Sequence, residues 1–263
     1  MKIFPKISIV IPSLNKARFI EETLASIFSQ DYSNLEVIIQ DGGSTDGTLE
    51  IIKKYASKFP KIIFWESNKD KGQTEAINKG LEKATGEIFT YLNADDVYRK
   101  GALLKVGTYF ARHPRALWVA GRGETVDKKG RIIFSLVTNY KNFLLSQNRY
   151  ELLLMVNYLM QPSVFISKKA FHKYGPLIGT EIGVMEYDLW LKIGEDEMPE
   201  IMDSTLSSFR IYQGSISTKN FKKMLLSDEK TAEKYTQNPL ILLLHYLHNV
   251  GRTVAAEFFN KNV

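Results

Sequence analysis

The chain has 263 residues and is 44% hydrophobic, enough for one α/β domain with an extension and a core that needs no covalent staples. It contains no cysteine, which excludes disulfides, thiolate metal sites and thiol nucleophiles together and fits a reducing, cytoplasmic setting. The net charge of +6 favours an anionic partner without naming it, and no basic block interleaved with aromatics argues for nucleic acid. Residues 1–6 carry no pattern of a secretory leader, and no apolar run approaches the ~20 residues of a membrane span.

In chain order, residues 7–11 read as a first strand, closed by the turn Pro12-Ser13-Leu14-Asn15. Phe19, Ile20, Leu24, Ile27 and Phe28 then recur at helical spacing. A second strand, 35–39, runs into Asp41-Gly42-Gly43-Ser44-Thr45-Asp46-Gly47, rich in residues that tolerate unusual backbone angles. A helix with Leu49, Ile52 and Ala56 facing inward follows, then a strand at 61–65 and a polar loop at 68–73. The third helix carries Ala76, Ile77, Leu81 and Ala84 and stops at Gly86. A fourth strand, 88–92, ends in Asn93-Ala94-Asp95-Asp96.

Beyond Gly101 a helix ends before Pro114, and strands at 117–120 and 132–135 flank the turn Asp127-Lys128-Lys129-Gly130. The apolar stretch 143–156 reads as helix, 162–166 as strand and 168–174 as a short helix. Leu189, Trp190 and Ile193 give the next segment a helical apolar face, with Glu186 at its start. From Lys219 onward two helices are expected, parted near Pro239. The predicted division is 1–218 as the main domain and 219–263 as a helical extension. The extension's stripe (Leu240, Ile241, Leu244, Leu247, Val250) suits core or subunit packing before a membrane surface, because it lacks a dense basic flank.

Strands alternating with helices predict βαβ units in a mostly parallel sheet, crossed right-handedly and covered on both faces. That topology gathers residues 12–15, 41–47, 68–73 and 93–96 along one sheet edge, where ligands bind in open α/β sheets. Asp95 and Asp96 repel each other unless a cation sits between them, and Mg²⁺ is typically held by one or two carboxylates plus substrate phosphates. The competing reading is a cap for the helix near Gly101. Residues 41–47 are equally readable as a tight turn, and Glu186 as a charge complementing the helix dipole. Trp65 and Trp190 read as packing, and His113, His172, His245 and His248 as surface or packing residues.

Five stretches, SIVIPSLN, VIIQDGGSTDGT, NKGLEKATGEIFTYLNADD, QPSVFISKKAFHKYG and EYDLWLKI, resemble in order the blocks of the family 2 glycosyltransferases, inverting enzymes of the GT-A fold. The resemblance covers roughly residues 7–217. It implies a nucleotide-diphosphate-sugar donor, usually UDP-linked, a divalent cation (Mn²⁺ or Mg²⁺), and a saccharide or lipid-linked acceptor of the kind met in polysaccharide biosynthesis. It assigns donor binding to Pro12, Ser13, Asn15, Asp41, Gly43, Asp70, Gln73, Asn78, Asn93, Ala94, Asp95 and Arg210. It assigns the metal to Asp95 with Asp96, and the base to Glu186 with Asp188 in reserve. Tyr212 stands where the family often has a His. Peripheral contact at the inner face of a membrane and a homo-oligomer through the last helices stay open.

Fold does not fix function. A sugar nucleotidyltransferase should carry a Gly-rich, basic first turn, whereas this one reads PSLN. A processive synthase needs membrane spans and Gln-x-x-Arg-Trp. A silent nucleotide-sugar binder or scaffold protein is the rival from another class.

Overall fold

The computed structural model describes residues 4–179 and 185–260, without the side chains of Ile216 and residues 255–260. Its first half repeats strand and helix: β1 (Ile7–Ser13), α1 (Ile20–Phe28), β2 (Leu35–Asp41), α2 (Thr48–Lys58), β3 (Ile63–Ser67), α3 (Gln73–Lys83) and β4 (Ile88–Tyr91). β1 pairs in parallel with β2 and β4, and β2 with β3, as the alternating pattern predicts. Register sets Ser13 beside Asp41 and Asp41 beside Ser67, so these strand ends share one edge.

Side chains alternate between faces along a strand. Ile7, Ile9, Ile11, Val37 and Ile39 pack with Leu24, Ile27, Ile52, Leu103 and Val106, while Val10, Ile38 and Phe89 join Ile77, Leu81, Leu153 and Trp190. Both faces are therefore covered. A Cβ on Gly80 would meet Val10 Cγ1 at 2.4 Å, so α3 lies directly against β1.

The second half is mixed. β5 (Val97–Tyr98), α4 (Ala102–Arg112) and β6 (Trp118–Val126) lead to α5 (Ser135–Gln147), α6 (Tyr150–Met155), a 3-10 turn and β7 (Val164–Ser167). Then follow α7 (Lys168–Tyr174), α8 (Met185–Asp196), β8 (Glu200–Arg210), α9 (Ile216–Lys219), α10 (Phe221–Tyr235) and α11 (Pro239–Asn260). The sheet order is β3-β2-β1-β4-β7-β6-β8-β5, with β7 antiparallel to both neighbours and β8 parallel to β6.

Three expectations needed correction. Residues 132–135 give only an isolated bridge from Ile132 to Val126, because Phe134 takes φ +54 and Ser135 opens α5. The helix expected over 143–156 is broken at Asn148, at φ +45. β8 was not foreseen, since its centre is polar; its buried hydroxyls are satisfied across the sheet, Ser207 Oγ by Ser163 Oγ at 2.6 Å and Ser208 Oγ by Glu124 Oε1 at 2.6 Å.

The two expected C-terminal helices, α10 and α11, bury Ala232 and Ile241 in the same core as α6 and α8. His245 Nδ1 lies 2.7 Å from the Leu154 carbonyl. Among the described residues no helix is long and apolar enough to cross a membrane.

Candidate active site

At the end of β2, Asp41 is 2% exposed and is held by four donors. Its Oδ2 accepts from the backbone N–H of Gly43 (3.0 Å) and Ser44 (2.8 Å) and from Ser67 Oγ (2.7 Å), and its Oδ1 from Ser44 Oγ (2.5 Å). Gly43 sits at φ +89, a conformation glycine adopts at little cost. Asn15, at φ +52, ties the neighbouring turn to this one. Its N–H donates to Ser44 Oγ (2.8 Å), and its Oδ1 accepts from Thr45 N–H (2.9 Å). Pro12 and Ser13 are buried at the end of β1, with Ser13 Oγ lacking a hydrogen-bond partner among the described residues. Asp70 lies over this turn: a Cβ on Gly42 would come within 3.0 Å of its Oδ2.

The exit of β4 is a second polar cluster. Gln73 Nε2 donates to Asn93 Oδ1 (2.6 Å), and Asn93 Nδ2 to Asp96 Oδ2 (3.1 Å). Asp96 Oδ1 accepts from Arg210 N–H at 2.8 Å. Ala94 is buried between these groups in sequence. Asp95 points elsewhere. Its Oδ2 takes an ion pair from Lys16 Nζ and a hydrogen bond from the Tyr212 hydroxyl at 2.9 Å. Lys16 Nζ also donates to the Tyr212 oxygen at 2.9 Å, closing a triangle. Burial alone would lower the Lys16 ammonium, but Asp95 and then Tyr212 reverse it and the net direction is upward. Asp96 is pushed up, first by burial and then by the charge on Asp95.

Glu186 lies at the start of α8, half-buried, with its Oε2 sealed from solvent and without a hydrogen-bond partner among the described residues. It lines a small cleft with Tyr91, Gln161, Leu177 and Trp190. Burial raises its carboxyl to about 7; the charge on Asp228 adds to this, and Tyr91 and Lys141 oppose it. β4 therefore carries Tyr91 beside Glu186 and leads, four residues on, to Asp95.

Several assigned residues are used up by the fold. Arg210 is 3% exposed: Nε donates to the Asp95 carbonyl (2.8 Å), Nη1 to the Asp127 carbonyl (3.1 Å) and Nη2 to Glu22 Oε2 (2.7 Å). It buckles β8 to the β4 exit, and its side chain is 1% exposed. The Asn78 amide grips the backbone of Leu177, donating at 2.9 Å and accepting at 3.1 Å. Asp188 binds Lys192 (2.7 Å) and the Tyr235 hydroxyl (2.9 Å), joining α8 to α10; positions two apart on a helix do not share a face. Lys16, Tyr91 and Gln161 were not foreseen. Only position, one residue past the first turn for Lys16, hinted at it.

The residues fit a protein-held divalent cation poorly. Asp96 is 1% exposed and both its oxygens are engaged, so the expected Asp95–Asp96 pair forms no two-carboxylate seat. Asp95 Oδ2 is already taken by an ammonium, and among the described residues no three His, Cys, Asp or Glu cluster as a metal site.

A profile described as Glycosyl transferase family 2 matches residues 8–175. An uncharacterized glycosyltransferase of Nostoc sp. is 34% identical over 105 residues, 40% of this chain and 33% of that protein. The PGL/p-HBAD biosynthesis glycosyltransferase of Mycobacterium bovis is 36% identical over 110 residues, 41% of this chain and 43% of that protein. The match thus spans less than half the length of these two relatives. An uncharacterized glycosyltransferase of Haemophilus influenzae matches more widely, 25% identical over 94% of this chain and 76% of its own. Among solved structures, mannosyltransferase PcManGT from Pyrobaculum calidifontis, in complex with GDP-Man and Mn²⁺, is similar with a TM-score of 0.73 and 20% identity, over 97% of this chain and 74% of that one. S. aureus TarS 1-349 in complex with UDP-GlcNAc has a TM-score of 0.58 and 18% identity, over 86% and 66%. At these identities the likeness is one of fold.

Proposed function

Because the chain belongs to glycosyl transferase family 2 and has the GT-A fold, we propose that it moves one sugar from a nucleotide-diphosphate donor to an acceptor hydroxyl, inverting the anomeric carbon. The observation that carries this reading is the pair of chemistries joined by β4. One is a carboxyl raised to about 7 beside Tyr91; the other is the Lys16 ammonium held by Asp95.

In the transfer, the acceptor O–H proton goes to Glu186 as the oxygen bonds to the anomeric carbon. The bond from that carbon to the phosphate oxygen breaks on the opposite face, through an oxocarbenium-like transition state. The nucleoside diphosphate leaves with the bonding electrons. A base held near neutrality is suited to this task and typically contributes about 10²–10⁴-fold. The turns carrying Pro12 to Asn15, Asp41 to Ser44 and Asp70 form the wall for the nucleoside. Their backbone is fixed by the Asp41 and Asn15 hydrogen bonds, so little ordering remains to be done when the donor binds.

A UDP- or GDP-linked hexose is the donor class, in keeping with GDP-Man and UDP-GlcNAc in the similar structures. A lipid-linked acceptor is favoured by the exposed Leu243, Leu247 and Val250 of α11, with the exposed Tyr140 of α5 packed near His248.

The test is release of nucleoside diphosphate from a panel of such donors, with donor affinity measured in parallel. Glu186→Gln should keep parental affinity and lose about 10²–10⁴-fold in transfer. Transfer at the parental rate would remove Glu186 from the role of base.

A further inference from the structure

We infer that Lys16 is the resident cation of the donor site, so that the diphosphate of a sugar nucleotide binds here to an ammonium rather than to a divalent metal. The inference rests on the donor class proposed above and narrows it.

Three observations carry it. The Lys16 ammonium already pairs with Asp95 Oδ2, and the Tyr212 hydroxyl locks both partners from the side. A second carboxylate does not open toward the site, since Asp96 is buried and accepts from Arg210 N–H and Asn93 Nδ2. A dication at Asp95 would thus have to expel the lysine or sit beside it at a repulsive distance.

The third observation is that the lysine is aimed. Its backbone N–H donates to Thr48 Oγ1 at 2.8 Å, the preceding Asn15 is pinned at φ +52, and its ammonium lies 5.6 Å from the Tyr212 ring centroid. An ammonium has three N–H donors. Among the described residues Asp95 and Tyr212 take two, and the side chain retains 16% exposure, so the third can meet an incoming phosphate oxygen. Asp95 then holds Lys16 in place instead of holding a metal.

The test is calorimetric binding of UDP and of GDP to the full chain, once in EDTA and once in excess MnCl₂. The parent should bind one of them in EDTA, with MnCl₂ changing Kd by less than about threefold. Lys16→Ala should lose at least about tenfold in EDTA, the weight of one charged hydrogen bond, while Lys16→Arg loses less. If Lys16→Ala fails to melt cooperatively, the parent and Lys16→Arg measurements decide alone.

Parental binding only with MnCl₂, or unchanged binding by a folded Lys16→Ala, would each overturn the inference. They would leave the donor class intact. Failure of both nucleotides to bind in either buffer would instead overturn the donor reading and this inference with it.

Discussion

A carboxylate such as Glu186, raised from its ordinary 4.5 to about 7 by burial, keeps its proton in the folded chain where the unfolded chain has already lost it. Its contribution to stability is therefore full below about pH 4.5 and is lost as pH rises through about 7. A base must be ionised to act, so the same residue makes turnover rise over the range in which it weakens the fold. The expected outcome is a parental melting temperature that falls more steeply between pH 4.5 and 7 than that of Glu186→Gln, and a parental transfer rate that climbs toward a plateau above about 7. Equal slopes in the two melting series would show that the buried Oε2 carries no such load. Residue identity was a good guide where the side chain serves its own neighbourhood. Asp41 collects Gly43 and Ser44 from its own turn, and Gly43 supplies the positive φ that turn needs. It was a poorer guide for Arg210 and Asn78, whose side chains bond far along the chain, Arg210 to two carbonyls and Glu22 and Asn78 to the backbone N–H and carbonyl of Leu177.

Elements followed the same logic. The run ISIVI buries alternate residues against two different helical layers, so its strand character could be read from composition, and it places the turn at Pro12 to Asn15 on the edge where the site forms. β8 gave no such signal, because its buried hydroxyls, Ser207 and Ser208, find their partners on other elements, at Ser163 and Glu124. Close packing of α3 on β1 adds a test at this scale. Gly80→Ala places a Cβ 2.4 Å from Val10 Cγ1, and overpacking of this kind costs typically about 1–3 kcal/mol. The denaturant midpoint should fall, and Val10→Ala in the same chain should restore part of the loss. A Gly80→Ala midpoint equal to the parent's would mean that the α3–β1 contact is looser than described. Gln73 opens α3 and reaches Asn93, so a shift of this helix should also weaken nucleotide binding.

For the whole molecule, the expected separation into a domain and an extension meets a shared core. α10 and α11 add Ala232 and Ile241 to the cluster containing Leu153, Leu154 and Trp190, and Tyr235 and His245 bond to α8 and α6. Ending the chain after Thr218 should therefore uncover the layer behind Glu186. The shortened chain is expected to lose cooperative melting or to associate, as measured by calorimetry and light scattering. A monomeric, sharply melting product would favour an independent domain.

The sequence by itself determined the parallel half of the sheet and the edge to which its loops converge, because alternation, turn chemistry and short crossovers act within a few residues of one another. It also determined which family's blocks the chain carries. Tertiary structure alone decided who neutralises whom. Asp95 meets Lys16 across 79 positions and Tyr212 across 117, and Asp96 turns inward to a backbone N–H 114 positions away. Charges choose partners by distance and burial after the chain has folded, and neither quantity can be read from spacing along it.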